Sequence, residues 1–545
     1  MLMTCFFGFQ MEHGLVSWCF HKLTMRGVLK MKCSNFMRRV FYCFVLLLNL
    51  WNCIAVAGTI DKPNIILIYT DDQGYGDVSC LNPESKFQTP NMDRIAQEGL
   101  TFTNAHCSDT VCTPSRYGLL TGRYCWRTTM KTGVLGAEHE CLIDDDRMTL
   151  ATLLRDQGYE TAMVGTYHLG MDFPGTPQNR DWTQPVQDMP LDKGFNYFYG
   201  IPASLNYGIL AWFEGRFARV PPTQFTRKKP NDLAISDYRI QPPYQKELSK
   251  GLFEIAPDFV DSECLTRFTE KSIEYIENHT KSSNSEKPFF LYLPYTSPHK
   301  PVIPLPKFRG QGAAGAYGEF LIETDYHIGQ ILKCLDEHKL TKNTLVILTS
   351  DNGPENTYSK RYELYGHKSA GPYRGGKRDA YEGGHRVPFL IRWPNRIEAG
   401  RVWDGATCQT DLLATLAQLL DVTLPANAGE DSFSFLDVID GKSEVKPRPA
   451  MIHHEMQGRF AIRDTIEGVE WKLILPHGRQ ERELYNLTED IAETENVVGD
   501  HPEIAETLEA QLTSFITQGG TTSGPAVKND TGWWSDLNWI EQSSF

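Results

Sequence analysis

Four short apolar runs, each ending abruptly in polar residues, constrain this chain more than any other feature. Ile65-Ile66-Leu67-Ile68-Tyr69 runs into Asp71-Asp72, and Thr161-Ala162-Met163-Val164 leads to His168. Phe289-Phe290-Leu291-Tyr292-Leu293 leads to Ser297-Pro298-His299, and Leu345-Val346-Ile347-Leu348 ends in Asp351-Asn352. Unbroken apolar runs of this length suit strands covered on both faces, as in a parallel sheet. In open α/β sheets, ligands bind beyond the carboxyl ends of such strands. Four segments far apart in sequence are therefore expected to deliver Asp71, Asp72, His168, His299, Asp351 and Asn352 to one sheet edge.

Helical patterns fall between these runs. Ala151 to Gly158 reads as a short helix ending at glycine. Phe320 to His338 carries Leu321, Ile328, Ile331, Leu332 and Leu335 at helical spacing, and Asp411 to Leu420 is amphipathic. The alternation implies an α/β fold: a large mixed, mainly parallel sheet flanked by helices. After about residue 440 the pattern changes. Phe460-Ala461-Ile462, Trp471 to Leu475 and Glu483-Leu484-Tyr485 resemble short antiparallel strands, and Ile504, Leu508, Leu512 and Phe515 mark one helix face. The expected organisation is a catalytic α/β domain over residues 58–440 and a smaller C-terminal α+β domain over 441–545. The stretch from Thr183 to Pro257 is rich in Pro, Tyr and Asn and lacks periodicity. It reads as loops laid over the site, with a role in selecting substrate.

The first 57 residues stand apart. Arg38-Arg39 precedes an apolar run from Val40 to Leu48, followed by Ala55-Val56-Ala57. Charge, apolar stretch and A-x-A site together describe a secretory signal peptide. The protein is thus expected to be exported, whether periplasmic, secreted or lumenal. Asn49 and Asn52 break the run, so no stable membrane span is expected. Six basic and one acidic residue precede Gly58, which takes the formal net charge from -14 for the whole chain to about -19 for the mature one. No basic patch points to nucleic acid. Eight of the thirteen cysteines follow residue 57, and spacing does not fix any pairing among them.

Cys112-Thr113-Pro114-Ser115-Arg116 carries the chemistry. Pro114 suits a first helical turn, which places Cys112 at a helix N-terminus where free N–H groups favour an anion. Arg116 adds a cation one turn on. Asp71, Asp72, Asp351 and Asn352 offer hard oxygen ligands suited to Ca²⁺, with Mg²⁺ second. His168 and His299 are candidate acid/base groups, because imidazole titrates near neutrality. Lys377, in Gly371-Pro372-Tyr373-Arg374-Gly375-Gly376-Lys377, is a candidate anion-binding cation on a glycine-rich segment whose backbone can approach closely.

The run Cys112 to Arg123 resembles the C-x-P-S-R…L-x-T-G-R signature of the type I sulfatases, within the alkaline phosphatase superfamily. Thr70 to Gly76, Ser350 to Gly353, Ser297 to His299 and Glu382 to Pro388 resemble other segments of that family. The resemblance spans about residues 62 to 500 and implies a sulfuric ester hydrolase. It implies that a maturation enzyme converts Cys112 to formylglycine, whose hydrate attacks sulfur. One Ca²⁺ would be held by Asp71, Asp72, Asp351 and Asn352, with the modified Cys112 completing its shell. It further implies Arg116 holding the nucleophile, Lys377 and His299 on the sulfate and leaving group, and His168 as the base that releases sulfate. The implied substrate is a sulfated small molecule or glycan. Two other functions fit the same motifs: hydrolysis of phosphate or phosphonate monoesters, and non-catalytic binding of sulfated glycans. One departure stands out. Where the family reads G-K-W-H-L-G, this chain reads Gly165-Thr166-Tyr167-His168-Leu169-Gly170, so a lysine is replaced by an uncharged hydroxyl.

Overall fold

The computed structural model describes residues 62–227 and 252–545. The signal-peptide segment lies outside the described residues. A ten-stranded mixed sheet dominates. Its strands, in chain order, are β1 (Asn64–Asp71), β2 (Leu100–Phe102), β3 (Glu160–Thr166), β4 (Tyr197–Ile201), β5 (Phe213–Glu214), β6 (Phe217–Ala218), β7 (Phe289–Pro298), β8 (Thr344–Ser350), β9 (Phe389–Arg392) and β10 (Arg401–Trp403). The spatial order is β10-β2-β9-β8-β1-β7-β3-β4-β5-β6.

The five central strands, β8, β1, β7, β3 and β4, are mutually parallel. They include all four apolar runs picked out from sequence. Each run extends by one or more residues at its ends, and every residue of β7 and β8 is buried. The antiparallel pairings β8–β9 and β9–β2 continue one side, where β10 closes the edge parallel to β2, and the antiparallel β4–β5 and β5–β6 finish the other. β4 to β6 lie inside the stretch expected to be loops. Tyr197-Phe198-Tyr199-Gly200-Ile201 is too short and too aromatic for its periodicity to show, yet it pairs in parallel along β3.

The main helices are α1 (Pro90–Gln97), α2 (Cys112–Thr121), α3 (Leu150–Asp156), α4 (Cys264–Lys281), α5 (Gly315–Glu337) and α6 (Asp411–Leu419). They pack as two sets: α1 and α4 each against α5, and α2, α3 and α6 against one another. Thr149 caps α3 by accepting from Thr152 N–H, and α5 starts five residues before the expected Phe320. At the end of α2, Gly122 adopts φ 66° and its N–H closes on the Gly118 carbonyl at 2.9 Å. A side chain there would be strained and would crowd Leu413. The buried Arg123 that follows pairs with Asp530 at 2.9 Å and Glu430 at 3.4 Å. The second half of the signature thus ends a helix and ties it to the C-terminal tail.

The C-terminal region forms a separate four-stranded antiparallel sheet: β11 (Met451–His454), β12 (Phe460–Ile466), β13 (Val469–Ile474) and β14 (Glu483–Asn486). The edge strand β11 was not foreseen. α7 (Pro502–Gln518) buries Ala505, Leu508, Leu512 and Ile516, so its apolar stripe is rotated slightly from the one read in sequence. The eight cysteines of the described residues are all free thiols. No helix among these residues is long and apolar enough to cross a membrane.

Candidate active site

The carboxyl ends of β1, β3, β7 and β8 do meet. Asp71 ends β1, and Asp72 follows it in left-handed backbone at φ 68°. Asp351 and Asn352 follow β8, and Asp72 N–H donates to Asp351 Oδ1 at 3.0 Å. His168 lies two residues past β3, again left-handed, at φ 59°. Such conformations are costly for non-glycine residues and gather at sites where the surroundings enforce them. Gly353 is required here. A Cβ at this position would fall 1.8 Å from the Gly383 carbonyl oxygen, so only glycine lets the Glu382 to Pro388 segment close onto the Asp351-Asn352 turn.

Arg116 is the hub. Its guanidinium is fully buried and donates through Nη2 to Asp71 Oδ2 at 3.1 Å and Asp351 Oδ2 at 3.0 Å. Nη1 donates to the Thr166 carbonyl at 3.0 Å. A single cation therefore fastens the ends of β1, β8 and β3 to the first turn of α2. Cys112 is the first residue of that helix and is fully buried. Thr113 Oγ1 donates to the His168 carbonyl at 3.1 Å and accepts from Leu135 N–H at 3.2 Å, which pins the helix start to the His168 turn. Lys377 Nζ contacts Asp72 Oδ1 at 2.5 Å, and His299 Nε2 lies 3.8 Å from Asp72 Oδ2. All nine residues singled out from sequence thus converge on one buried cluster.

The pocket's electrostatics are those of an under-neutralised anionic cage. Burial raises the Asp71 carboxyl, with Arg116 opposing and Asp72 adding to the rise. Burial and then Asp71 raise Asp351 in the same way, against Arg116. Asp72 is held below the usual carboxylate range, because Lys377 and His299 outweigh its burial. Burial also pushes the Cys112 thiol well above the ordinary thiol range, despite Lys377 and Arg116 nearby. His299 is lowered to about 4, mainly by burial, and His168 also falls well below its ordinary value through burial and then Arg116.

The oxygens fit a hard cation. Asp71 Oδ1, Asp72 Oδ2 and Asn352 Oδ1 are buried without a hydrogen-bond partner. Asn352 Nδ2 donates to Asp72 Oδ1 at 2.8 Å and to the Gly353 carbonyl at 2.9 Å, which turns Oδ1 into the pocket as an acceptor. Unpaired carboxylate and amide oxygens facing one another are costly unless a cation occupies the space. Asp71, Asp72 and His299 also present ligand atoms within 4.8 Å of one another. A second buried group, His106, His385 and His453, meets the same distance test. However, the His385 and His453 rings stack at 3.5 Å and 9°, so no ion lies in both ring planes. This group instead locks into Glu382, Arg463 and Lys472.

Two contributors were missed from sequence. Ser204 Oγ donates to Asp71 Oδ2 at 2.8 Å and lies 3.2 Å from His168 Nδ1. The Tyr207 ring sits 5.0 Å from His168 and 6.3 Å from His299. Both lie just after β4, where no motif marks them. Thr166, at the departure from the family pattern, is fully buried, and its Oγ1 has no hydrogen-bond partner.

Comparison with known proteins agrees with this geometry. The sulfatase family model matches residues 63–422, and the model for the C-terminal region of N-sulphoglucosamine sulphohydrolase matches residues 375–518. An N-acetylgalactosamine-6-O-sulfatase of Bacteroides thetaiotaomicron is 34% identical, over 84% of this chain and 94% of that protein. Human steryl-sulfatase is 32% identical, over 77% of this chain and 76% of its own length. A solved 6S-sulfatase structure from work on glycosaminoglycan metabolism by Bacteroides thetaiotaomicron superposes with a TM-score of 0.73 at 31% identity, covering 83% of this chain and 99% of that one. A convergent Cys112-Arg116 helix start, a cage of carboxylates and a match over most of the chain have one common reading: this protein belongs to the sulfatase family and hydrolyses sulfate monoesters.

Proposed function

We propose that the protein is an exported, formylglycine-dependent sulfatase that uses one Ca²⁺ and acts on a sulfated carbohydrate. The observation that carries this reading is the place of Cys112, fully buried in the first turn of α2 whose Arg116 clamps Asp71 and Asp351. A thiol whose ionisation is suppressed by burial and by the Asp71 and Asp351 carboxylates is a poor nucleophile at neutral pH. Its place at a helix start beside Arg116 and Lys377 nevertheless suits a reacting oxygen. Conversion of Cys112 to formylglycine resolves the conflict: the aldehyde hydrate supplies one hydroxyl to attack sulfur and a second through which sulfate is later expelled. Asp71, Asp72, Asp351 and Asn352 would hold the Ca²⁺, which supplies Lewis-acid charge beside the modified residue.

The chain's own groups do the rest. Arg116 orients the helix start and neutralises Asp71 and Asp351. Lys377 and His299 bind sulfate oxygens and favour protonation of the leaving oxygen. His168 donates Nε2–H to the Leu135 carbonyl at 2.9 Å, which leaves Nδ1 as the atom that accepts a proton when sulfate departs. Ser204, whose hydroxyl proton goes to Asp71, is placed to accept from Nδ1–H once His168 has taken up that proton. The carbohydrate reading follows the N-acetylgalactosamine-6-O-sulfatase relative, which aligns over nearly its full length.

Mass spectrometry of the Cys112 tryptic peptide from protein made in its native host tests the reading. The expected result is a loss of about 18 Da relative to cysteine. An intact thiol in active protein overturns it. The metal has its own readout. Dialysis against a chelator is expected to lower the melting temperature, and Ca²⁺ at about 100 times its Kd to restore roughly 2.7 kcal/mol of stability. Mg²⁺ at the same concentration restores less, because it gives up its waters reluctantly and demands near-octahedral geometry, whereas several carboxylate and amide oxygens suit the larger ion. No thermal shift with either ion removes the metal from the proposal.

A further inference from the structure

The reacting groups are sealed in: Cys112 and His168 are fully buried, and His299 and Lys377 are at most 3% exposed. The leaving part of the substrate must therefore project past the half-exposed residues that adjoin them. Among the described residues that adjoin them, Leu135, Gly136, Tyr207 and Arg378 are partly exposed, and Lys300 borders them with its side chain nearly covered. Leu135 accepts from His168, and Tyr207 lies against both histidines. Lys300 directly follows His299, and Arg378 directly follows Lys377.

Lys300 and Arg378 come from different loops but share one carboxylate. Glu355, three residues after Asn352, accepts from Arg378 Nη1 at 2.5 Å and Nη2 at 3.0 Å. Lys300 Nζ lies 3.0 Å from Glu355 Oε2, and Asn356 N–H donates to Oε1 at 2.9 Å. Glu355 and Lys300 are nearly covered, with side chains 7% and 11% exposed, while that of Arg378 is 32% exposed. Two cations on one anion leave a net positive charge beside the buried reacting groups, in a strongly acidic chain. Of the five N–H donors of a guanidinium, Glu355 takes two and fixes the plane of the rest. Arg378 is also held in left-handed backbone, at φ 83°, like Asp72 and His168.

We propose that Arg378 and Lys300, braced by Glu355, form a subsite for a second anionic group on the leaving part of the ester. The substrate class is then a sulfated glycan that bears a carboxylate or a further sulfate beside the sulfate that is cleaved. This rests on the hydrolase reading above and adds the residues that select the leaving group. A fork pre-set by Glu355 recognises an oxyanion with little ordering cost, and Tyr207 offers an aromatic face for the sugar ring.

The test compares kcat/KM for an uncharged aryl sulfate with that for N-acetylgalactosamine 6-sulfate, alone and joined to a uronic acid. Two further arms are the carboxyl-reduced disaccharide and a disulfated one, which separate a carboxylate from a second sulfate as the group bound. Wild-type protein is expected to prefer an anionic disaccharide. Arg378→Gln lowers kcat/KM for it roughly tenfold more than for the aryl ester, chiefly through KM. Arg378→Lys recovers part of the loss, and Lys300→Gln gives a smaller loss of the same kind. Equal losses on charged and uncharged substrates, or no wild-type preference, overturn the subsite and leave the hydrolase reading intact. No turnover of either ester by protein carrying the modified residue defeats the hydrolase reading, and the subsite with it.

Discussion

Cys112→Ala is expected to lower kcat for any sulfate ester by a factor of about 10⁴ or more while leaving the protein folded. Two features of the site set the size of this effect. The side chain is the only atom group of the first helical turn that can become the nucleophile, since Thr113, Pro114 and Ser115 are buried and committed elsewhere. Thr113 Oγ1 bridges the His168 carbonyl and Leu135 N–H, and Ser115 Oγ donates to the Asp109 carbonyl at 3.0 Å. No other group of this turn can take over the attack on sulfur, so the residual rate reflects only the charged side chains of the site, and the cation proposed to sit among them, acting on water. The stability cost is small by comparison. Alanine lacks only the thiol, or the aldehyde oxygen of the modified residue, so the cavity is smaller than that of a Leu→Ala change and costs about 1 kcal/mol. The measurement is turnover of an aryl sulfate, with the melting temperature of each preparation as the control for folding. Activity within tenfold of wild type would show that Cys112 is not the nucleophile.

The parallel core of the fold was legible because burial on both faces leaves a strand nothing but apolar residues, as in β1 and β8. The same reason made the cage legible: polar residues placed directly after such runs can only lie at the sheet edge. The short strand β4 was hidden, since five residues with two tyrosines and a glycine give no distinct period. With it went Ser204 and Tyr207, whose positions depend on where β4 ends and not on any local motif. Lys300, Glu355 and Arg378 escaped for another reason. Each is an ordinary charged residue in sequence, and only folding shows that one carboxylate joins the loops after β7 and β8 to the Lys377 segment. The aromatic and charged contacts of the C-terminal sheet were equally unreadable. The stacking of His385 on His453 and the pairing of Lys472 with Glu382 connect residues with no shared pattern. Thr166 was visible as a departure from the family pattern. Its isolation was not: the buried hydroxyl meets no partner, while its backbone carbonyl still receives Arg116.

Arg116→Met is expected to cost about 3–5 kcal/mol of stability in the metal-free protein, more than any other single charge removal in the site. The guanidinium fills a fully buried position and pairs at 3.0–3.1 Å with two carboxylates that burial already pushes upward. Methionine replaces much of the volume but leaves Asp71 and Asp351 facing each other with no cation between them. Their folded-state pKa values then rise further above those of the unfolded chain. A carboxyl raised in this way contributes its full stability below the unfolded value, near 4, and loses it as pH rises through the folded one. Asp351 is already pushed up to about 8 in the wild type, so for this carboxyl the gap should hold steady below that pH and widen above it, by up to about 1.4 kcal/mol per pH unit for each carboxyl that stays protonated only in the variant. Arg116→Lys recovers only part of the loss. An ammonium can reach one carboxylate, but it cannot also span Asp71, Asp351 and the Thr166 carbonyl as the planar guanidinium does. Urea unfolding at several pH values, with chelator present throughout, measures all three proteins on one scale. A gap that stays constant or shrinks as pH rises above 8 would show that Arg116 holds the fold by packing, and that the two carboxylates do not depend on its charge.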